Sequence, residues 1–198
     1  MNKLLELDFC REINCSRETV LWNYWDHEHL TEMHDGYVSS DIMYEKGNVL
    51  FRIDNIKFSM IPFLSSKTPI FMAQHDENTI VVFAIQYSVI SKTTIKVEAL
   101  EKYKTKIYMN YKFYLNGWRI LLKPILKKFI ERWNNRVWIE DLEIKQRRDK
   151  FIRLGFKDFS GMPSKISDRK PPNNIKFKLP VARPKNSIRD RHTLRHTN

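Results

Sequence analysis

The chain has 198 residues, a net charge of +12, and 42% hydrophobic and 13% aromatic residues. That is enough apolar material for one domain with a substantial core, and too much for a disordered chain. Its longest apolar runs, such as Ile80-Val-Val-Phe-Ala-Ile85, fall far short of the ~20 residues of a membrane span, and Met1-Asn-Lys-Leu-Leu-Glu-Leu-Asp has no signal-like apolar core, so a cytoplasmic protein without a membrane span is expected. Cys10 and Cys15 have neither a CxxC partner nor a histidine two residues on, which excludes a zinc ribbon or a Rieske cluster and leaves two reduced thiols.

Residues 4–14 alternate loosely and read as a first strand. Ser16 then stands where it can cap a helix over 16–26, with a second short helix or kinked continuation at 27–35 and Gly36 as its stop. Strand-like runs follow at 37–44, 48–53, 56–64, 70–74, 79–90, 93–100 and 105–115. The turns between them are expected at Gly47, Asp54-Asn55, Asp76-Glu-Asn78 and Ser91-Lys92. Between Asn116-Gly117 and about Leu154 the pattern is helical. Leu121, Leu122, Ile125, Leu126, Phe129, Ile130, Trp133 and Val137 form the expected apolar face, opposite Arg119, Lys123, Lys127, Lys128, Arg132 and Arg136. Pro124 belongs in the first turn of that helix, and Gly155 is expected to close it. This basic helix is read as a core element with a solvated face rather than as a membrane-surface helix.

The composition changes after Phe159. Residues 160–198 carry ten Lys or Arg against two Asp, so +8 of the net +12 lies there with five of the eight prolines. The expected division is a folded domain over 1–159 and a basic, solvated tail over 160–198. The tail lacks interleaved aromatics, which leaves a nonspecific anionic partner as the only one its charge suggests.

The densest chemistry lies in Asn23-Tyr-Trp-Asp26-His-Glu-His29-Leu-Thr-Glu-Met-His34. Two neutral imidazoles and one carboxylate make the set that holds non-haem Fe(II) with positions left open. On a regular helix His29 and His34 would stand about 140° apart, so the chain must kink or break to let them share a metal, and Thr31 is a candidate place. Asp26 and His29, three apart, are natural neighbours. His75 reads as a solvated turn residue, and His192 and His196 lie in the tail. No phosphate-binding glycine loop and no serine or cysteine nucleophile arrangement stands out.

The order of elements resembles the START-like, or SRPBCC, superfamily, whose α+β helix-grip (START/Bet v 1-like) fold curls an antiparallel sheet of about seven strands around a long C-terminal helix and leaves an apolar cavity. Within it, Asn23-x-x-Asp26-x-x-His29-x-x-x-x-His34 resembles the catalytic-domain motif of Rieske-type ring-hydroxylating oxygenases, the vanillate and dicamba demethylase branch in particular. The resemblance implies His29 and His34 as iron ligands, Asp26 as a catalytic residue bonded to a ligand histidine and carrying electrons, and Asn23 beside the metal. The third ligand it implies comes from Glu140-Asp141, with Asp141 preferred and Glu140 as the alternative. It further implies Fe(II), an apolar or aromatic small-molecule substrate, and a separate redox protein as electron donor, because this chain encodes no Rieske cluster. Two other functions fit the same residues. One is a non-catalytic START-like carrier or sensor of a hydrophobic ligand, and the other is an adaptor recruited through the basic tail.

Overall fold

A computed structural model describes residues 3–26, 28–34, 36–58 and 61–154. The elements in chain order are β1 (Lys3–Ile13), α1 (Arg17–Trp25), α2 (Glu28–Met33), β2 (Tyr37–Lys46), β3 (Val49–Phe58), β4 (Ile61–Asp76), β5 (Thr79–Gln86), β6 (Val89–Glu101), β7 (Lys104–Leu115), a 3-10 turn (Gly117–Leu122) and α3 (Lys123–Arg153). All strands pair antiparallel in one sheet of order β1-β7-β6-β5-β4-β3-β2. This is the helix-grip layout that the order of elements predicts. The alternation in β7 shows why it forms. Ile107, Met109, Tyr111 and Leu115 are buried, whereas Tyr108 and Tyr114 are exposed, so one face of the sheet is covered and the other is wet.

The core joins Leu5, Leu7 and Ile13 of β1, Val20, Leu21 and Trp25 of α1, and strand residues such as Leu50, Met72, Ile80, Val97 and Ile107 to Ile130 of α3. Each such side chain contributes roughly 1.5–3 kcal/mol when fully buried. Ser16 caps α1 as expected, accepting from the Thr19 backbone N–H. A residue from the far end of the chain reinforces that cap. Asp149 of α3 accepts from the Ser16 backbone N–H (2.8 Å), the Ser16 hydroxyl (2.7 Å) and the Thr19 hydroxyl (3.0 Å). The start of α1 is thereby fixed on α3, and the residues that follow it are brought to the side of α3.

Two expected turns need correction. Asp54-Asn55 is not a turn, because β3 runs through it with Asp54 opposite Thr68 and Asn55 opposite Lys67. Asp54 is fully buried and satisfied by Ser40 and Arg52, so its polarity serves the interior rather than a bend. Ser91-Lys92 is not a turn either, since these residues pair with Ala84 and Phe83. The reversal lies at Tyr87 and Ser88, with φ of 50° and 60°. Tight hairpins need positive φ at both central residues, usually supplied by Asn or Gly, and here residues without that preference adopt it. Among the described residues six strands therefore follow α2, where the turn signals suggest seven.

Pro124 sits in the first turn of α3, as expected. Leu121, Leu122 and Ile125, placed on the inward face by their spacing, are exposed instead. The first two belong to the 3-10 turn, where a 3.6-residue period does not apply. Gly155 and the tail over 160–198 lie outside the described residues.

Candidate metal centre and cavity

Asp26 ends α1, and α2 begins two residues later. The helical hydrogen bonds of α2 continue past Thr31, and the helix stops after Met33. The break that separates the two histidines thus falls at His34 rather than at Thr31. The first residue beyond the helix, His34 still donates its backbone N–H to the Leu30 carbonyl (3.1 Å), and its own carbonyl accepts from Tyr37 (2.9 Å). The Lys57 backbone N–H in turn donates to the Gly36 carbonyl at 2.8 Å. His34 is held between the end of α2 and the edge of the sheet, with its ring centroid 5.6 Å from that of His29.

Asp141 comes from the middle of α3. Its Oδ1 lies 3.4 Å from Nε2 of His29 and 3.1 Å from Nε2 of His34. One ligand atom from each of the three residues fits within 4.8 Å of the others, and all three side chains are buried. Two metal–ligand bonds of about 2.1 Å meeting at a right angle would separate their donor atoms by about 3.0 Å, close to the 3.4 and 3.1 Å between the Asp141 oxygen and the two histidine nitrogens. His34 Nε2 and Asp141 Oδ1 are buried and face each other at 3.1 Å, with no other hydrogen-bond partner among the described residues, so both remain available to a bound ion. Glu140 accepts from Nδ1 of His34 at 2.6 Å. With the ring proton on Nδ1, Nε2 can serve as a metal ligand, the arrangement that carboxylates hold behind metal-binding histidines. These residues fit a metal ion.

Around them lies a buried frame of charge. Asn23 donates through Nδ2 to Oδ2 of Asp141 at 3.2 Å, and its carbonyl oxygen accepts from Arg148 at 3.4 Å. Asn23 therefore stands behind the carboxylate and orients it. Asp26 lies 3.7 Å from Nδ1 of His29, beyond direct hydrogen-bond length, and binds Arg148 at 2.8 Å. Lys145 donates to Oδ2 of Asp141 at 2.9 Å, with its ammonium 4.4 Å from the centre of the Tyr24 ring, and the Arg148 guanidinium lies over Trp22 at 4.3 Å. Burial opposes ionisation of Asp141, but Lys145 and the two histidines outweigh it and hold the carboxyl well below its ordinary range. For His29, burial disfavours the imidazolium, yet contacts with Asp141 and Asp26 prevail and raise the pKa.

The sequence brings forward Asn23, Asp26, His29, His34, Glu140 and Asp141, and the fold gathers all of them here. Lys145 and Arg148 were missed. Their signal was spacing, since residues 141, 145 and 148 repeat every three to four positions and so share the face of α3 that carries Ile144 and Ile152.

The His29–His34–Asp141 cluster opens on a cavity of about 300 Å³. Its body is apolar, with Met72, Val82, Ile95, Phe113, Phe129 and Ile130 among the lining residues. Tyr37 joins the two regions, with its ring centroid 5.9 Å from that of His34. Burial, with a smaller effect of Asp54, pushes the Tyr37 hydroxyl up to about 12, so it stays protonated.

No protein-family model matches this chain, and no curated protein matches it by sequence. Solved structures do match. The Zhui aromatase/cyclase from Streptomyces sp. R1128 superposes with a TM-score of 0.59 at 9% identity, over 75% of this chain and 95% of that one. A START superfamily protein from Mycobacterium smegmatis gives 0.56 at 12% identity, over 72% and 97%. Ara h 8.0201 gives 0.60 at 10% identity, over 73% and 99%. These likenesses, with the curled sheet and the long C-terminal helix, define the class: this chain has the START/Bet v 1-like helix-grip fold.

Proposed function

We propose that this protein binds a small, largely apolar molecule in the helix-grip cavity, next to a mononuclear iron centre held by His29, His34 and Asp141. The observation that carries this reading is the convergence of three buried ligand atoms at the wall of an apolar cavity. Fe(II) held by two imidazoles and one carboxylate supplies oxygen-activating chemistry, and the electrons for it would come from a separate redox protein. Asp141 is ionised and anchored by Lys145 and Asn23. His34 is fixed in its ligating tautomer by Glu140. Asp26 and Arg148 form the buried pair beside His29. The apolar wall holds the substrate near the centre and keeps bulk water from it. The Rieske-oxygenase-like catalytic domain suggested by the Asn23–His34 motif is the finer form of this proposal.

A second reading is a non-catalytic carrier or sensor of hydrophobic ligands. It draws support from the fold, shared with a START superfamily protein that matches over most of its length. Co(II) and naphthalene separate the two. Under anaerobic conditions the full chain is titrated with Co(II), and naphthalene is then added. Stoichiometric Co(II) uptake and a change in its visible absorption on addition of naphthalene support the metal centre beside an occupied cavity. Naphthalene binding without Co(II) uptake leaves the carrier.

A further inference from the structure

One region of the cavity wall does not match its apolar surroundings. Arg52, Asp54 and Thr68 line the cavity, are 7%, 0% and 2% exposed, and lie on the adjacent strands β3 and β4. Arg52 and Asp54 are two residues apart and so point to the same face of the sheet, and Thr68 stands directly opposite Asp54 in the pairing register. A buried ion pair is costly to maintain when its remaining hydrogen-bonding capacity is unused. Asp54 is well supplied, accepting from Ser40 at 2.7 Å and from Nε of Arg52. Arg52 is not. Only its Nε meets Asp54, at 3.1 and 3.2 Å from the two oxygens, and among the described residues its two terminal nitrogens have no carboxylate partner. The Thr68 hydroxyl is buried, with no hydrogen-bond partner among the described residues. Unused donors on a cavity wall are complementary to an acceptor that a ligand brings.

We propose that Arg52 and Thr68 form an anchoring subsite for a carboxylate, so that the ligand of this cavity is a small organic acid with an apolar body. The guanidinium offers a planar pair of donors suited to a carboxylate, and the hydroxyl offers a third. Asp54 holds Arg52 by Nε and leaves its other nitrogens directed elsewhere. Lys57, an exposed residue lining the same cavity, adds positive charge and has no ion-pair partner among the described residues. The apolar body would then lie along Met72, Val82 and Ile95. This inference rests on the cavity being a ligand site and not on the metal.

The test uses the full chain with excess EDTA, so that no metal can attract the acid. Binding of 2-naphthoate, 2-naphthamide and naphthalene is compared by calorimetry. A charge-assisted anchor predicts naphthoate binding roughly tenfold to a hundredfold more tightly than the other two. Thr68→Val, which keeps the shape and removes the hydroxyl, weakens naphthoate several-fold and leaves naphthalene unchanged. The double variant Arg52→Gln/Asp54→Asn, which removes both charges of the pair together, abolishes the preference. Equal binding of all three probes to the unmutated chain overturns the subsite while the cavity reading stands. A naphthoate preference that survives in both variants also overturns it. Failure of all three probes to bind overturns this inference and the ligand site beneath it.

Discussion

At the scale of single residues, the centre depends on charges that are too deeply buried to be left unmatched. Lys145 is 1% exposed and Asp141 4%, and removing one partner of such a pair costs about 3–5 kcal/mol because the other stays buried and uncompensated. Lys145→Met should therefore lower the free energy of urea unfolding by about that amount in metal-free protein. A divalent ion beside Asp141 replaces the missing positive charge, so the loss should shrink when metal is bound. A loss of equal size with and without metal would separate Asp141 from the ion. The pH dependence has a definite sign. With its pKa raised in the folded state, His29 contributes stability that is full below its unfolded value of about 6.5 and is lost as pH rises through the folded value. A metal ion needs the neutral ring, so its affinity should rise with pH over that same window. Imidazole NMR of metal-free protein should show His29 titrating above the ordinary histidine range.

At the scale of elements, the outcome turned on how local each signal was. Ser16 as a cap, Pro124 in the first turn of α3 and the alternation of β7 depend on neighbours in sequence, and all were legible. Asp54 misled because an Asp-Asn pair is turn chemistry in isolation, whereas its partners Ser40 and Arg52 are supplied by the sheet. His29, His34 and Asp141 come together from a motif and an acidic pair more than a hundred residues apart. Spacing alone puts Lys145 and Arg148 on the buried face of α3, but their charge argues against burial, and its cost is offset by Asp141, Asp26 and two aromatic faces that meet only after folding. The β5–β6 hairpin offers a test at this scale. Tyr87 and Ser88 both hold positive φ, a conformation costing non-glycine residues of order 1 kcal/mol or more. Replacing them with Asn-Gly should raise the thermal midpoint, and an unchanged or lower midpoint would mean that the two side chains contribute contacts of comparable value.

At the scale of the whole molecule, the fold lines one cavity with two polar groups: β3 and β4 carry Arg52, Asp54 and Thr68, while α2, the residue just past its end and α3 supply His29, His34 and Asp141. The sheet and α3 thus present two chemically different groups to one apolar space. The buried cluster that maintains this space is drawn from residues 5–130, with Trp133, Trp138 and Leu142 of α3 packed against it. Deleting residues 160–198 should leave the unfolding midpoint unchanged by calorimetry, and a large drop would move the domain boundary. The central claim is the metal centre, and iron stoichiometry tests it most directly. After anaerobic reconstitution with Fe(II) and desalting, the full chain should retain about one iron per chain, the ratio set by a single two-histidine, one-carboxylate site, and His29→Ala, His34→Ala and Asp141→Ala should each retain little. Iron well below one per chain in the unmutated protein, or undiminished iron in all three variants, would contradict the account.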